Sequence, residues 1–241
     1  MSRRLAIGVA AAFLVAGAGA AGIYVYFFSG LRTTPTALTL APASTPSPGA
    51  AAPAISDLSG RWQVASGSVA GYRVREQFVG QSSPHEAVAR TSTVSGSVTV
   101  TSAGSGYQAD DLTFTADLSG LHSIDQVAGR DVSQRDSIVA RDLDVSQFPT
   151  ATFKASSALL SSDLLSGATD TITIPGQVTI HGVTKSVTAT VQVRLNGATV
   201  EVAGNVAIQM TDFGVSPPQV GFVTVEPSVT IEFQLSLTKS S

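Results

Sequence analysis

The chain's imidazoles are three, His85, His122 and His181, and it has no cysteine. Without thiols there is no disulfide staple, no Cys-ligated zinc or iron–sulfur site, no thiolate nucleophile and no cysteine-linked lipid anchor. Three scattered histidines do not build a His-rich metal site, and no metal-spaced His/Asp/Glu set or Gly-rich phosphate loop is present. His122, Ser123 and Asp125 are the right types for nucleophilic catalysis. Neighbours this close in sequence rarely converge into a proton relay, so no catalytic residue and no enzymatic activity are expected. His181, in His-Gly-Val-Thr-Lys, reads as a structural or exposed turn residue. The densest charge lies between Ser119 and Thr150, with Asp125, Arg130, Asp131, Arg135, Asp136, Arg141, Asp142 and Asp144. Such a cluster could orient a polar headgroup at the mouth of a site, or it could be a salt-bridged surface helix. Arg135 and Asp136 lean toward the structural role.

The elements around these residues come in three parts. The chain has 241 residues, of which 43% are hydrophobic and only 13% charged. Ordinary globular chains carry about 25% charged residues. Whole-chain disorder needs the opposite balance. A formal net charge of −3 leaves no basic footprint for nucleic acid. Arg3, Arg4 and Arg32 are the only charged side chains before Asp57, and all 17 acidic residues lie from Asp57 onward.

Leu5–Phe28 is an uncharged run. As a helix it would rise about 36 Å, enough to cross a hydrocarbon core of about 30 Å. It runs past the 7–15 apolar residues usual for a cleaved signal peptide, so it reads as a retained signal anchor. Arg3 and Arg4 place residues 1–4 in the cytoplasm and the rest of the chain outside. Residues 29–57 are rich in Pro, Ala, Ser and Thr, with five of the 11 prolines. Proline supplies no amide donor, so this stretch reads as an extended spacer with no packing surface of its own.

Residues 58–241 show period-2 alternation. Val187, Ala189, Val191, Val193 and Leu195 alternate with polar residues, and so do Val229, Ile231, Phe233, Leu235 and Leu237. Each such strand has one apolar and one wet face. Eight strands are predicted, near 61–78, 87–102, 106–118, 151–158, 170–181, 183–196, 198–211 and 228–239. Asn196-Gly197 and His181-Gly182 read as hairpin turns. Long strands joined by hairpins predict an all-β, eight-stranded antiparallel barrel. Trp62, after Gly60-Arg61, is expected to plug a closed end. Asp131–Arg141 predicts a short helix in the one gap in the alternation, with Asp131 and Arg135 four apart as a helix pair.

Three stretches resemble one family in order and spacing. They are SQRDSIVARDLDVSQFPTATF (Ser133–Phe153), IPGQVTIHGVTKSVTATVQVRL (Ile174–Leu195) and MTDFGV (Met210–Val215). They are similar to motifs of the YceI-like family, over nearly all of 58–241. The resemblance implies a lipocalin-like barrel with a helix against it. It also implies a bacterial, exported protein, here held at the inner (cytoplasmic) membrane. The interior would take an isoprenoid-type lipid or quinone, with no other cofactor and no metal. Phe78, Phe114, Leu118, Phe148, Phe153, Ile180, Met210, Phe213, Phe222 and Phe233 are the expected wall. The alternative is a structural or interaction domain with a packed interior.

Overall fold

A computed structural model describes residues 34–40, 55–79, 84–127, 132–221 and 223–240. The expected anchor, Leu5–Phe28, and residue Phe222 lie outside the described residues. Among the described residues no helix is long and apolar enough to cross a membrane.

The strands are β1 (Gly60–Val64), β2 (Val69–Phe78), β3 (His85–Thr91), β4 (Val94–Ala103), β5 (Gly106–Asp117), β6 (His122–Ser123), β7 (Thr150–Leu160), β8 (Thr169–Ile180), β9 (Val183–Asn196), β10 (Thr199–Gln209), β11 (Gln219–Val220) and β12 (Val223–Lys239). The helix α1 spans Ser133–Asp142. β1 and β2 are two halves of one barrel strand, and both pair with β12. β3 and β4 are halves of the next, since β2 pairs β3 and β1 pairs β4. The order then runs β4-β5-β7-β8-β9-β10-β12 and closes on β1. That is an eight-stranded antiparallel barrel. Closure removes the free edges on which another chain could pair.

The first strand bends between its halves at Ala65–Ser68. There the buried Ser68 hydroxyl donates to Ala65 O at 2.8 Å and accepts from Ser236 N at 3.0 Å, replacing the ladder bonds lost at the bend. Higher up, β3 pairs with β6 while β5 stays on β4 and β7. The wall therefore parts between β3 and β5, and the segment carrying β6 and α1 stands there.

Turn chemistry follows the two glycines. His181 and Gly182 both have positive φ (51° and 71°), as a type I′ hairpin requires. The second hairpin differs by one residue from the expected Asn-Gly loop. Asn196 pairs with Thr199, so the loop is Gly197-Ala198, with Gly197 at φ 61° in the first central position. Only glycine takes that position without cost.

Two irregularities shift the alternation. Asp111 (φ 54°) sits where the β4–β5 register slips, so inward residues change from Tyr107 and Ala109 to Leu112, Phe114 and Ala116. The other lies between Val225 and Val229 in β12. The end near Trp62 is closed. Trp62 is 1% exposed, donates from Nε1 to Leu58 O at 2.8 Å, and packs in one core with Leu58 and Leu164.

Residues 34–40 depart from the expected free spacer. They lie along the outer face of β2, β3 and β12. Arg73 Nη2 donates to Pro35 O at 3.0 Å and Arg90 Nη2 to Thr36 O at 2.7 Å, while Leu38 N donates to Glu232 Oε2 at 3.2 Å. Composition could not show this, because the binding groups belong to the barrel.

Candidate functional site

Opposite the Trp62 end lies a cavity of about 460 Å³. Its wall is built from inward positions of several strands: Ala70, Tyr72, Val74 and Phe78 on β2, Ala116 on β5, Ala151 on β7, Ile180 on β8, Ile208 on β10, and Val225, Val229 and Ile231 on β12. Leu118, Met210, Phe213 and Val215 add to it from the connections. The helix α1 closes one side with Ile138 and Val139, and Leu143 follows them. Its opposite side, with Ser137, Ala140 and Arg141, is exposed. The cavity reaches the surface beside Gln134, which is exposed.

Of the residues expected from sequence, Phe78, Leu118, Ile180, Met210 and Phe213 line this cavity. Phe114, Phe153 and Phe233 do not. They line a separate void of about 80 Å³ toward the Trp62 end. Each stands two residues from a cavity residue on its strand: Ala116, Ala151 and Ile231. Each ring lies over a glycine of a neighbouring strand: Phe114 over Gly96, Phe153 over Gly176 and Phe233 over Gly204. A Cβ on any of these glycines would come within 2.8 Å of the ring. The three rings form a layer between the two spaces. Phe148 is a correction: it packs edge-on against His181, with ring centroids 5.3 Å apart, and lines neither space. The reason is the His181-Gly182 turn, whose glycine leaves room for that ring.

Sequence reading favoured large rings and passed over Ala70, Val74, Ile208, Val229 and Ile231. Their signal was available as the inward members of alternating strands. These small and aliphatic side chains share the lining with the rings of Tyr72, Phe78 and Phe213.

The charged stretch forms a buried network on one wall. Arg135 on α1 donates from Nη1 to Asp125 Oδ1 at 2.7 Å and from Nη2 to Glu76 Oε2 at 3.0 Å. Asp125 also holds His85 Nε2 at 2.7 Å and accepts from Val88 N at 3.1 Å. Asp136 accepts from Ser123 N and Oγ at 2.9 and 2.6 Å. These bonds dock α1 on β2 and on the segment of β6, so Arg135 and Asp136 are held against the barrel while Arg141 is solvated. The expected Asp131–Arg135 pair lies outside the described residues, and Arg135 is taken by Asp125 and Glu76. Burial opposes the charge on Asp125, but the bonds from His85 and Arg135 and the Arg135 charge outweigh it and hold its carboxyl at about 2. For Glu76 burial wins over Arg135, and its carboxyl is pushed up. Burial also pushes up the Tyr72 phenol.

No proton relay is assembled from the expected types. His122 is exposed and its Nδ1 faces Gly120 O at 3.1 Å, while Ser123 Oγ is spent on Asp136. His181 Nδ1 meets Phe213 O at 3.1 Å and braces the turn. Among the described residues no group of His, Asp and Glu could hold a metal ion. The buried histidine is His85, which only the Glu76–His85 ladder pairing brings into the network. The arrangement provides an apolar container with one polar wall.

A model of the YceI-like domain matches residues 62–237. Among solved structures, a polyisoprenoid binding domain from Saccharophagus degradans is 15% identical, with a TM-score of 0.52 over 74% of this chain and 98% of that one. BcnA of Burkholderia cenocepacia is 23% identical, with a TM-score of 0.46 over 68% and 95%. A YCEI protein of Campylobacter jejuni is 13% identical, with a TM-score of 0.44 over 64% and 85%. No curated protein matches in sequence. The first of these structures shares the fold. With the matched domain spanning the barrel from Trp62 in β1 to Leu237 in β12, the chain belongs to the YceI-like domain family.

Proposed function

We propose that the barrel holds an isoprenoid-type lipid tail in the 460 Å³ cavity, and that Leu5–Phe28 anchors it to the bacterial inner membrane with the barrel on the extracytoplasmic side. The cavity is the observation that carries the first part. Its wall is apolar over most of its area, and each buried CH₂ of a ligand contributes about 0.8 kcal/mol. The Saccharophagus degradans relative, described as a polyisoprenoid binding domain, supports the same ligand class. These features speak against the packed-interior alternative.

A quinone is the form of this ligand that one further observation favours. Tyr72 lines the cavity, and its hydroxyl has no hydrogen-bond partner among the described residues. Tyr72 is half-buried, and a quinone carbonyl inside the cavity would give its hydroxyl an acceptor. The test is native mass spectrometry of the detergent-purified full chain, followed by solvent extraction. One isoprenoid lipid per barrel is the expected result. Preparations that never carry lipid, from a host rich in isoprenoids, would overturn the reading.

A further inference from the structure

The segment 34–40 and its binding groups have no part in the cavity. Glu232, on the outer face of β12, is 2% exposed. It accepts from Arg73 Nε at 3.1 Å, from Arg90 Nε and Nη2 at 3.0 and 2.8 Å, and from Leu38 N. Arg73 in turn donates to Glu86 Oε2 at 2.6 Å, and Thr34 Oγ1 to Glu86 O at 3.4 Å. Val88, between Glu86 and Arg90 on the same outward face, is fully buried. Three charged side chains fixed on each other leave two guanidinium donors aimed at backbone carbonyls of this segment. That is a built docking site for the chain's own strap.

The strap has a direction. Thr34 stands at Glu86, which pairs with Arg75, while Leu38 stands at Glu232, which pairs with Gly71. The strap therefore runs antiparallel to β2 and starts at the cavity end of the barrel. Five residues, 29–33, separate Thr34 from the end of the apolar run at Phe28. Fully extended, that stretch reaches roughly 20 Å. From the level of Glu86 to Trp62 is about thirteen residues of tilted strand, roughly 30 Å along the barrel axis. The tether is too short for the Trp62 end to face the bilayer.

We infer that the strap turns the open end of the barrel toward the membrane from which the anchor emerges, so that the cavity mouth addresses the lipid surface. This rests on the anchor proposed above. An undocked segment would leave a tether running to the start of the barrel, and the barrel could turn freely. Docked, it leaves a lipid tail a short path between bilayer and cavity.

The absence of cysteine allows single labels. Ser216→Cys lies in the connection at the open end, and Ser105→Cys in the β4–β5 turn at the closed end. Both serines are exposed and neither lines the cavity. Each full-length variant is labelled with a fluorophore and placed in phosphatidylcholine vesicles containing a nitroxide-headgroup lipid. Quenching at position 216 should exceed that at 105 several-fold. A flexible Gly/Ser insertion of about 20 residues after Ser29 adds roughly 25 Å of reach. It should bring the two positions close to equal quenching. Equal quenching in the native tether, stronger quenching at 105, or a difference that survives the insertion overturns the inference alone. Release of the unlabelled chain from vesicles by carbonate overturns the anchor, and the inference with it.

Discussion

Asp125 and Glu76 bond to the same guanidinium, yet they respond to pH in opposite senses. The folded Asp125 carboxyl titrates at about 2, below its ordinary 3.8. Its contribution, on the order of 2 kcal/mol, is present above about pH 4 and is lost as pH falls toward 2. Glu76 is raised, so its contribution is present below its ordinary 4.5 and is lost as pH rises through its folded value. Mild acid therefore does not weaken the fold through Glu76, and the loss begins when Asp125 takes a proton. Urea midpoints of the lipid-free protein should fall between pH 4 and 2. Asp125→Asn should be less stable at pH 7 by about 3 kcal/mol, because it leaves Arg135 underpaired, and should show a flatter curve in that window. Parallel curves for the two proteins would contradict this assignment. The ring layer makes a second prediction at this scale. Phe233→Ala opens the 80 Å³ void to the main cavity. Part of the ring already faces a void, so its loss should cost less than the roughly 3–5 kcal/mol of a packed core. Lipid extracted from the variant should be shifted to longer chains. An unchanged length distribution would show that the rings do not limit the tail.

At the level of elements, two short pieces complete what the strands leave open. The helix α1 buries no residue fully, and its ends and face explain its place. Its apolar side covers the cavity, and Arg135 and Asp136 fasten it to β2 and the segment of β6. The strap fastens itself the other way, through backbone groups received by barrel side chains. Its removal should be measurable. A fragment starting at residue 58 keeps all eight strands and should fold as a mainly β protein by circular dichroism. A fragment starting at residue 34 should be more stable in urea by roughly 2 kcal/mol, because Arg73, Arg90 and Glu232 keep their backbone partners. Equal midpoints would mean that the docked segment adds nothing to stability.

For the whole molecule, the organisation matches an apolar ligand that seldom leaves membranes. One end is sealed by Trp62, the other carries the cavity, and where the wall parts beside β3 the segment of β6 and α1 stands in the gap. Leu5–Phe28 would hold this container beside its ligand's source. The chain should therefore remain in the membrane fraction after carbonate washing, with its N-terminus intact. A soluble exported product with a new N-terminus near Ala21 would instead show that the apolar run is a cleaved signal.

Much of this protein is legible along the chain, because strand alternation and turn residues are local properties. The eight strands, the His181-Gly182 turn, the helix before Pro149 and the Trp62 plug follow from side-chain period and backbone preference. The motifs at Ser133–Phe153, Ile174–Leu195 and Met210–Val215 place the barrel in its family. Other features depend on which strands meet. The register slip at Asp111 decides which β5 residues point inward. Gly96, Gly176 and Gly204 admit three rings, so those rings fill a layer between the two spaces. Phe148 stands at a turn that draws it away from the cavity. His85 joins Asp125 only because β3 runs beside β2 and under the segment of β6. The strap is the clearest case. Its own residues carry no charge, and the groups that bind it come from β2, β3 and β12, distant in sequence and adjacent only in the closed barrel.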